Sequence, residues 1–175
     1  MDARTRAARI RLIAFDIDGV MTDGGLHYTD DGQELKTFNV HDGFGLTLLR
    51  RAGLELAIVT GRTSGVVAAR AADLGIEHVF QGVTDKRAVV GELLEKLGLH
   101  WPECAFMGDD LIDLRVMNQC GFAIAPANAR AVVRERAHAV TDAAGGHGAV
   151  REAAEFILAA QGKLESLFAG YLDAQ

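Results

Sequence analysis

Strand-like apolar runs alternate with helix-period segments from Ile10 to Ala160, and no other feature of the chain narrows its fold so far. Residues 10–15 and 54–59 have the length and β-branched content of buried strands. Residues 64–74 read as a helix stopped at Gly75, residues 76–80 as a short strand, and residues 86–97 as a helix with Gly98 just past its end. Strands are then expected over 104–107, 122–125 and 138–141, and helices over 111–119, 129–137 and 150–160. This order predicts an α/β fold, a parallel sheet with helices on both faces. Ligands of such sheets gather at the carboxyl ends of the strands. The 175 residues suit one domain, spanning 1–175, with no internal repeat or interdomain linker.

One segment breaks the alternation. Leu26-His27-Tyr28-Thr29 and residues 34–40 flank Asp30-Asp31-Gly32, and Asp-Gly between two β-prone runs signals a hairpin, over about 25–40. A two-stranded hairpin is marginal alone, so this one must pack on its own domain or on a neighbouring subunit.

The balance of charge excludes some classes of function. A formal net charge of −6 argues against a nucleic-acid surface, yet a local pocket and a metal can still hold a small anion. Cys104 and Cys120 match neither a zinc set nor a disulfide framework and read as small core residues. No apolar run reaches about 18 residues, so no membrane span is expected. The basic first nine residues precede a short apolar run holding two aspartates, unlike a signal peptide. The expected location is cytoplasmic.

Polar clusters fall where strands end. After the first strand comes Asp16-Ile17-Asp18-Gly19-Val20-Met21-Thr22-Asp23. Asp16 and Asp18, two apart on extended chain, point the same way and repel unless a cation or a shared proton intervenes. A nucleophile beside an acid/base held by a metal would use such a pair; a turn capped by aspartates would also contain it. Thr60-Gly61-Arg62 follows the strand ending at Val59 and suits an oxyanion cradle. Lys86 opens a helix after Asp85, where it could supply a point charge. Gly108-Asp109-Asp110, with Asp113, follows the strand ending at Met107. Hard oxygen ligands of this kind favour Mg²⁺. Each cluster alone also fits a turn, a solvated lysine or a helix cap. Their order and the coherent sum of charges, carboxylates for a cation and Arg and Lys for an anion, favour a site.

Asp16-x-Asp18-Gly19-x-x-Thr22, then Thr60, Lys86 and Gly108-Asp109-Asp110-x-x-Asp113 resemble the haloacid dehalogenase superfamily of phosphohydrolases, whose fold is Rossmann-like. That resemblance implies Asp16 as the nucleophile forming an aspartyl-phosphate and Asp18 as general acid/base. It implies Mg²⁺ held by the Asp16 carboxylate, the Asp18 backbone carbonyl and Asp109, with Asp110 and Asp113 behind them. Thr60 and Lys86 would hold phosphoryl oxygens. Members usually carry a cap domain that selects substrate, and the space here leaves no room for one.

More closely, the chain resembles the small capless 3-deoxy-D-manno-octulosonate 8-phosphate phosphatases of lipopolysaccharide precursor synthesis. The specific parts are the first motif, Glu34-Leu35-Lys36-x-Phe38-Asn39-Val40-x-Asp42-Gly43, Thr60-Gly61-Arg62, and Gly145-Gly146-x-Gly148-Ala149-Val150-Arg151-Glu152. The resemblance implies a homotetramer whose hairpins form a central barrel and whose C-terminal tails, about 163–175 here, cover neighbouring sites. It implies substrate contacts from Asp18, Asn39, Val40, His41, Asp42, Gly43, Arg62, Arg70 and Lys86. By the resemblance, His41 stands where close relatives often carry Arg, Thr47 where some carry another, and His147 where the Gly-Gly-Arg-Gly tail motif has Arg; an Arg fork grips carboxylate better than neutral imidazole. Leu164, Leu167, Phe168, Tyr171 and Leu172 form one helical face that could close the chain's own core or dock on a neighbour. The alternatives are a phosphatase for another nonulosonic acid phosphate, such as a sialic-acid-type 9-phosphate, and a non-catalytic regulator that binds a phosphorylated ligand.

Overall fold

Three four-residue runs with every side chain buried, Leu12–Phe15, Cys104–Met107 and Phe122–Ala125, form the middle of the molecule. The computed structural model describes residues 1–172. Its elements are α1 (Ala3–Ala7), β1 (Leu12–Phe15), β2 (His27–Tyr28), β3 (Glu34–Leu35), α2 (Val40–Arg51), β4 (Glu55–Val59), α3 (Gly65–Leu74), β5 (His78–Phe80) and α4 (Lys86–Leu97). Then follow β6 (Cys104–Met107), α5 (Leu114–Met117), β7 (Phe122–Ala125), α6 (Ala131–Arg134), β8 (Ala139–Val140), α7 (Ala149–Ala160) and α8 (Leu164–Leu172). Six strands make one parallel sheet in the order β5-β4-β1-β6-β7-β8, as the alternation predicts.

Strand side chains alternate between faces, and the two cores divide accordingly. Ile13, Phe15, Leu56, Ile58, Met107 and Ile124 pack on one side with α2, α3 and α7 through Leu46, Val67 and Ile157. Leu12, Ala14, Val59, Phe106 and Ala123 pack on the other with α4, α5 and α6 through Val90, Val116 and Val133. Cys104 and Cys120 lie in this second core, where burial pushes the Cys120 thiol up to about 12 and Cys104 well above its usual range. They pack as small apolar residues. No helix among the described residues is long and apolar enough to cross a membrane.

The sequence-based expectations differ from the structure at several places. The strand expected to reach Val40 ends at Leu35, and helix α2 begins at Val40, where the Asn39 carboxamide accepts the His41 N–H at 2.7 Å. Gly43 and Gly45 masked this helix, since glycine weakens helical propensity. Gly45 has a packing reason: a Cβ there would come within 2.9 Å of Arg151 Cα on α7. The helix expected over 111–119 is instead a 3₁₀ turn, Leu111–Asp113, leading into the single turn α5. Asp113 folds its carboxylate back onto the amides of Asp109 and Asp110, which tightens the start. Helix α6 and strand β8 are shorter than 129–137 and 138–141, and α1 was not anticipated.

The hairpin has two residues per strand, His27 facing Leu35 and Tyr28 facing Glu34. Between Thr60 and Lys86 the chain makes only α3 and β5, so no cap is inserted there. Helix α8 lies on its own body: Leu164, Leu167 and Phe168 pack on the first core, and Tyr171 sets its ring edge-on to Phe44 at 5.1 Å. The rest of the tail, residues 173–175, lies outside the described residues.

Candidate active site

The parallel sheet brings three strand ends together. Asp16 follows β1, Thr60 follows β4, and Gly108-Asp109 follows β6. The Asp16 amide donates to Met107 O at 3.0 Å and the Thr60 amide to Phe80 O at 2.9 Å, so the ladders continue into the site. Gly19 turns the chain with φ +89°, and a Cβ there would sit 2.2 Å from Asp109 Oδ2. Glycine is what lets the β1 and β6 loops touch. Lys86 reaches the same point from the first turn of α4, whose N-cap, Asp85, accepts the Ala88 N–H at 3.2 Å.

These groups form one buried cluster. Lys86 Nζ is 2.9 Å from Asp16 Oδ1 and 2.7 Å from Asp113 Oδ1. Oxygens of Asp16, Asp109 and Asp113 all lie within 4.8 Å of one another. Three carboxylates against one ammonium leave an excess of negative charge away from water, which is costly unless a proton or a cation joins them. Burial, then the Asp113 charge, raises Asp16 to about 6 despite Lys86. Burial, then Asp113 and Asp16, raises Asp109 to about 7. Burial alone would depress Lys86, but the Asp16 and Asp113 charges outweigh it and hold the ammonium above its ordinary range.

The residues fit a hard divalent cation. Asp113 is committed: Oδ1 takes Lys86, and Oδ2 accepts the Asp109 and Asp110 amides at 3.0 and 3.2 Å. Asp109 and Asp16 remain as the carboxylates to face an ion. Asp110 is exposed and caps the 3₁₀ turn, accepting the Leu111 N–H at 2.7 Å, so its side chain stands apart from the cluster.

The outer site is built from the hairpin and α2. Arg62 Nη2 donates to Tyr28 Oη at 2.7 Å and to Glu34 Oε1 at 2.9 Å, while its Nε lies 3.5 Å from Asp18 Oδ2. Arg70 donates to Asn39 O at 3.5 Å and lies over the Phe38 ring. Asp42 is buried, its oxygens accepting the Gly148 and Arg151 amides, and so ties α2 to α7. His41, Val40 and His147 are exposed, and Thr47 Oγ1 donates to Gly43 O at 3.1 Å.

Two residues that the sequence reading did not single out belong to this region. Lys36, just past β3, pairs with Asp18 with its side chain 2% exposed. Its signal was available, since Glu34 and Lys36 are two apart on extended chain and share a face. Asn128 donates to Gly19 O at 2.9 Å and accepts the Gly145 N–H at 2.6 Å, joining the Asp16–Gly19 turn to the Gly145-Gly146 loop. No local motif marks it.

The chain is similar to known proteins along most of its length. Residues 69–152 match the haloacid dehalogenase-like hydrolase family model. A 3-deoxy-D-manno-octulosonate 8-phosphate phosphatase from Salmonella typhi is 45% identical over 161 residues, 92% of this chain and 86% of the relative. The crystal structure of the Yersinia pestis phosphatase of that name superposes with a TM-score of 0.92 at 46% identity, over 94% of this chain and 89% of the other. The Moraxella catarrhalis phosphatase, solved in complex with a magnesium ion, a phosphate ion and a KDO molecule, gives a TM-score of 0.95 at 41% identity, over 97% of each chain.

Proposed function

The chain belongs to the 3-deoxy-D-manno-octulosonate 8-phosphate phosphatases, within the haloacid dehalogenase-like hydrolases, and from that premise we propose that it hydrolyses 3-deoxy-D-manno-octulosonate 8-phosphate to the free sugar acid and phosphate. The enzyme is a Mg²⁺-dependent phosphomonoesterase. The observation that carries the reading is Asp16 held 2.9 Å from Lys86 beside Asp109, at the strand ends of a chain alike over nine-tenths of its length to such phosphatases.

Asp16 attacks phosphorus while the ester P–O bond breaks, giving an aspartyl-phosphate and the alcohol. Asp18 gives its proton to the leaving oxygen, then takes one from the water that attacks the acyl phosphate and regenerates Asp16. Lys86 keeps Asp16 ionised and, with Thr60, holds phosphoryl oxygens. The Asp16 and Asp109 carboxylates and the Asp18 carbonyl would hold Mg²⁺, with Asp113 orienting Asp109 through its amide. Bound there, the ion supplies positive charge to the transferring phosphoryl group, the dominant contribution in this chemistry.

Residues 39–43, with Arg62, Arg70 and Lys86, contact the sugar acid and its phosphate. The homotetramer is supported by the hairpin, whose Leu26, Tyr28 and Leu35 are half exposed and need a cover. The role is in lipopolysaccharide precursor synthesis, in the cytoplasm. The test is phosphate release from 3-deoxy-D-manno-octulosonate 8-phosphate with and without Mg²⁺, beside a sialic-acid-type 9-phosphate. Faster Mg²⁺-dependent turnover of the 8-phosphate is expected; preference for the 9-phosphate overturns the substrate, and no phosphatase activity on any ester favours a binding role.

A further inference from the structure

The two oxygens of Asp18 have unlike partners. Oδ1 takes the ammonium of Lys36 at 2.5 Å, with the Lys36 side chain only 2% exposed. Oδ2 has Arg62 Nε at 3.5 Å, from a guanidinium that is 43% exposed and already engaged by Glu34 and Tyr28. Glu34 also lies 3.3 Å from Lys36 Nζ, so the hairpin itself fixes where that ammonium points. One contact is short and sealed; the other is long and open to displacement.

An ammonium is a donor with no acceptor capacity. The oxygen it holds can accept but cannot itself carry the proton toward Lys36. A protonated Asp18 held in this way carries its hydrogen on Oδ2, the side with the loose partner. We propose that Lys36 is a positioning residue for proton transfer: it pins Asp18 Oδ1 and thereby makes Oδ2 the oxygen that delivers the proton to the departing alcohol. This rests on the reading of Asp18 as the general acid. As the Asp16–phosphorus bond forms and the ester P–O bond breaks, the Oδ2 proton passes to the ester oxygen, and Asp18 is left as a carboxylate paired with Lys36. In a chain with no inserted cap, the hairpin supplies the orienting group.

Leaving groups separate this role from a structural one. Nitrophenolate departs without a proton, whereas an alkoxide needs one, and kcat/KM reports the steps through the first irreversible one. The experiment measures kcat/KM with saturating Mg²⁺ for p-nitrophenyl phosphate and for ethyl phosphate, neither of which carries the sugar, in the full-length wild type, Asp18→Asn, Lys36→Met and Lys36→Arg proteins. Lys36→Met is expected to lower the ethyl phosphate value on the order of 100-fold and the nitrophenyl value by less than about 3-fold. Lys36→Arg, another donor without an acceptor, is expected to recover most of the loss. Equal losses on both esters, or no loss, in Lys36→Met while Asp18→Asn still separates them overturns the role of Lys36 alone. No separation in Asp18→Asn overturns the reading of Asp18, and the proposal with it.

Discussion

Lys86 Nζ lies 2.9 Å from Asp16 Oδ1, and the two side chains are 2% and 7% exposed. A carboxylate this enclosed attacks phosphorus only if something keeps it ionised, and the ammonium is the cation the chain itself provides. Replacing Lys86 by Met removes that charge and, on the proposed mechanism, one holder of the phosphoryl oxygens. The variant is expected to lose about 10²–10³-fold in kcat. Steady-state turnover beside circular dichroism checks this; near-wild-type kcat in a folded variant contradicts it.

The carboxylate cluster also sets a pH dependence. Asp16 and Asp109 stand at about 6 and 7 in the native state, above the ordinary 3.8. Both bind protons more tightly folded than unfolded, so they make the metal-free protein less stable as pH rises from about 4 to about 7. A divalent cation needs the ionised forms, so the stabilisation it provides grows through the same window. His138, held low by burial, gives the opposite slope, but it is common to both states and cancels in their difference. The rise in melting temperature from saturating Mg²⁺ is therefore expected to be larger at about pH 8 than at about pH 5. Equal shifts at both contradict this account of the cluster.

Asp110 and Asp113 look alike in the sequence and differ in the fold. Asp113 is fully buried and holds Lys86 and two amides; Asp113→Ala leaves Lys86 with Asp16 alone and both amides without their acceptor, and is expected to cost about 1–3 kcal/mol for each amide left unpaired. Asp110→Ala removes one exposed cap and is expected to cost about 0.5–2 kcal/mol. Urea denaturation of both variants measures the difference, and equal losses contradict the assignment.

That pair shows where a sequence is legible and where it is not. The glycines after α3 and α4 and the all-buried runs of β1, β6 and β7 act locally, and each appears in the structure where the pattern puts it. Helix α2 was hidden because Gly43 and Gly45, poor helix formers, are needed against Arg70 and α7. Tertiary contact overrode propensity there. Lys36 and Asn128 acquire their roles only when the hairpin and the loop at Gly145 close on the Asp16–Gly19 turn. For Asn128 such closure leaves no spacing to read, and for Lys36 the spacing from Glu34 marks a shared face but not the partner across the site.

The hairpin carries the prediction on assembly. Leu35 is 55% exposed on β3, opposite His27, while Lys36 beside it points into the site. If the hairpins of four copies meet, Leu35→Asp places charges at that junction. Light scattering is expected to give a tetramer for the wild type and a smaller species for the variant, with secondary structure unchanged. A tetrameric variant, or a monomeric wild type, contradicts the hairpin-built assembly.

In the proposed mechanism Asp16 becomes covalently phosphorylated. The direct measurement is acid quenching during turnover of 3-deoxy-D-manno-octulosonate 8-phosphate, reduction of the acyl phosphate with borohydride, and peptide mass analysis. Conversion of Asp16 to homoserine, dependent on substrate and Mg²⁺, is expected. Reduction at a different carboxylate, or none while phosphate is being released, would contradict it.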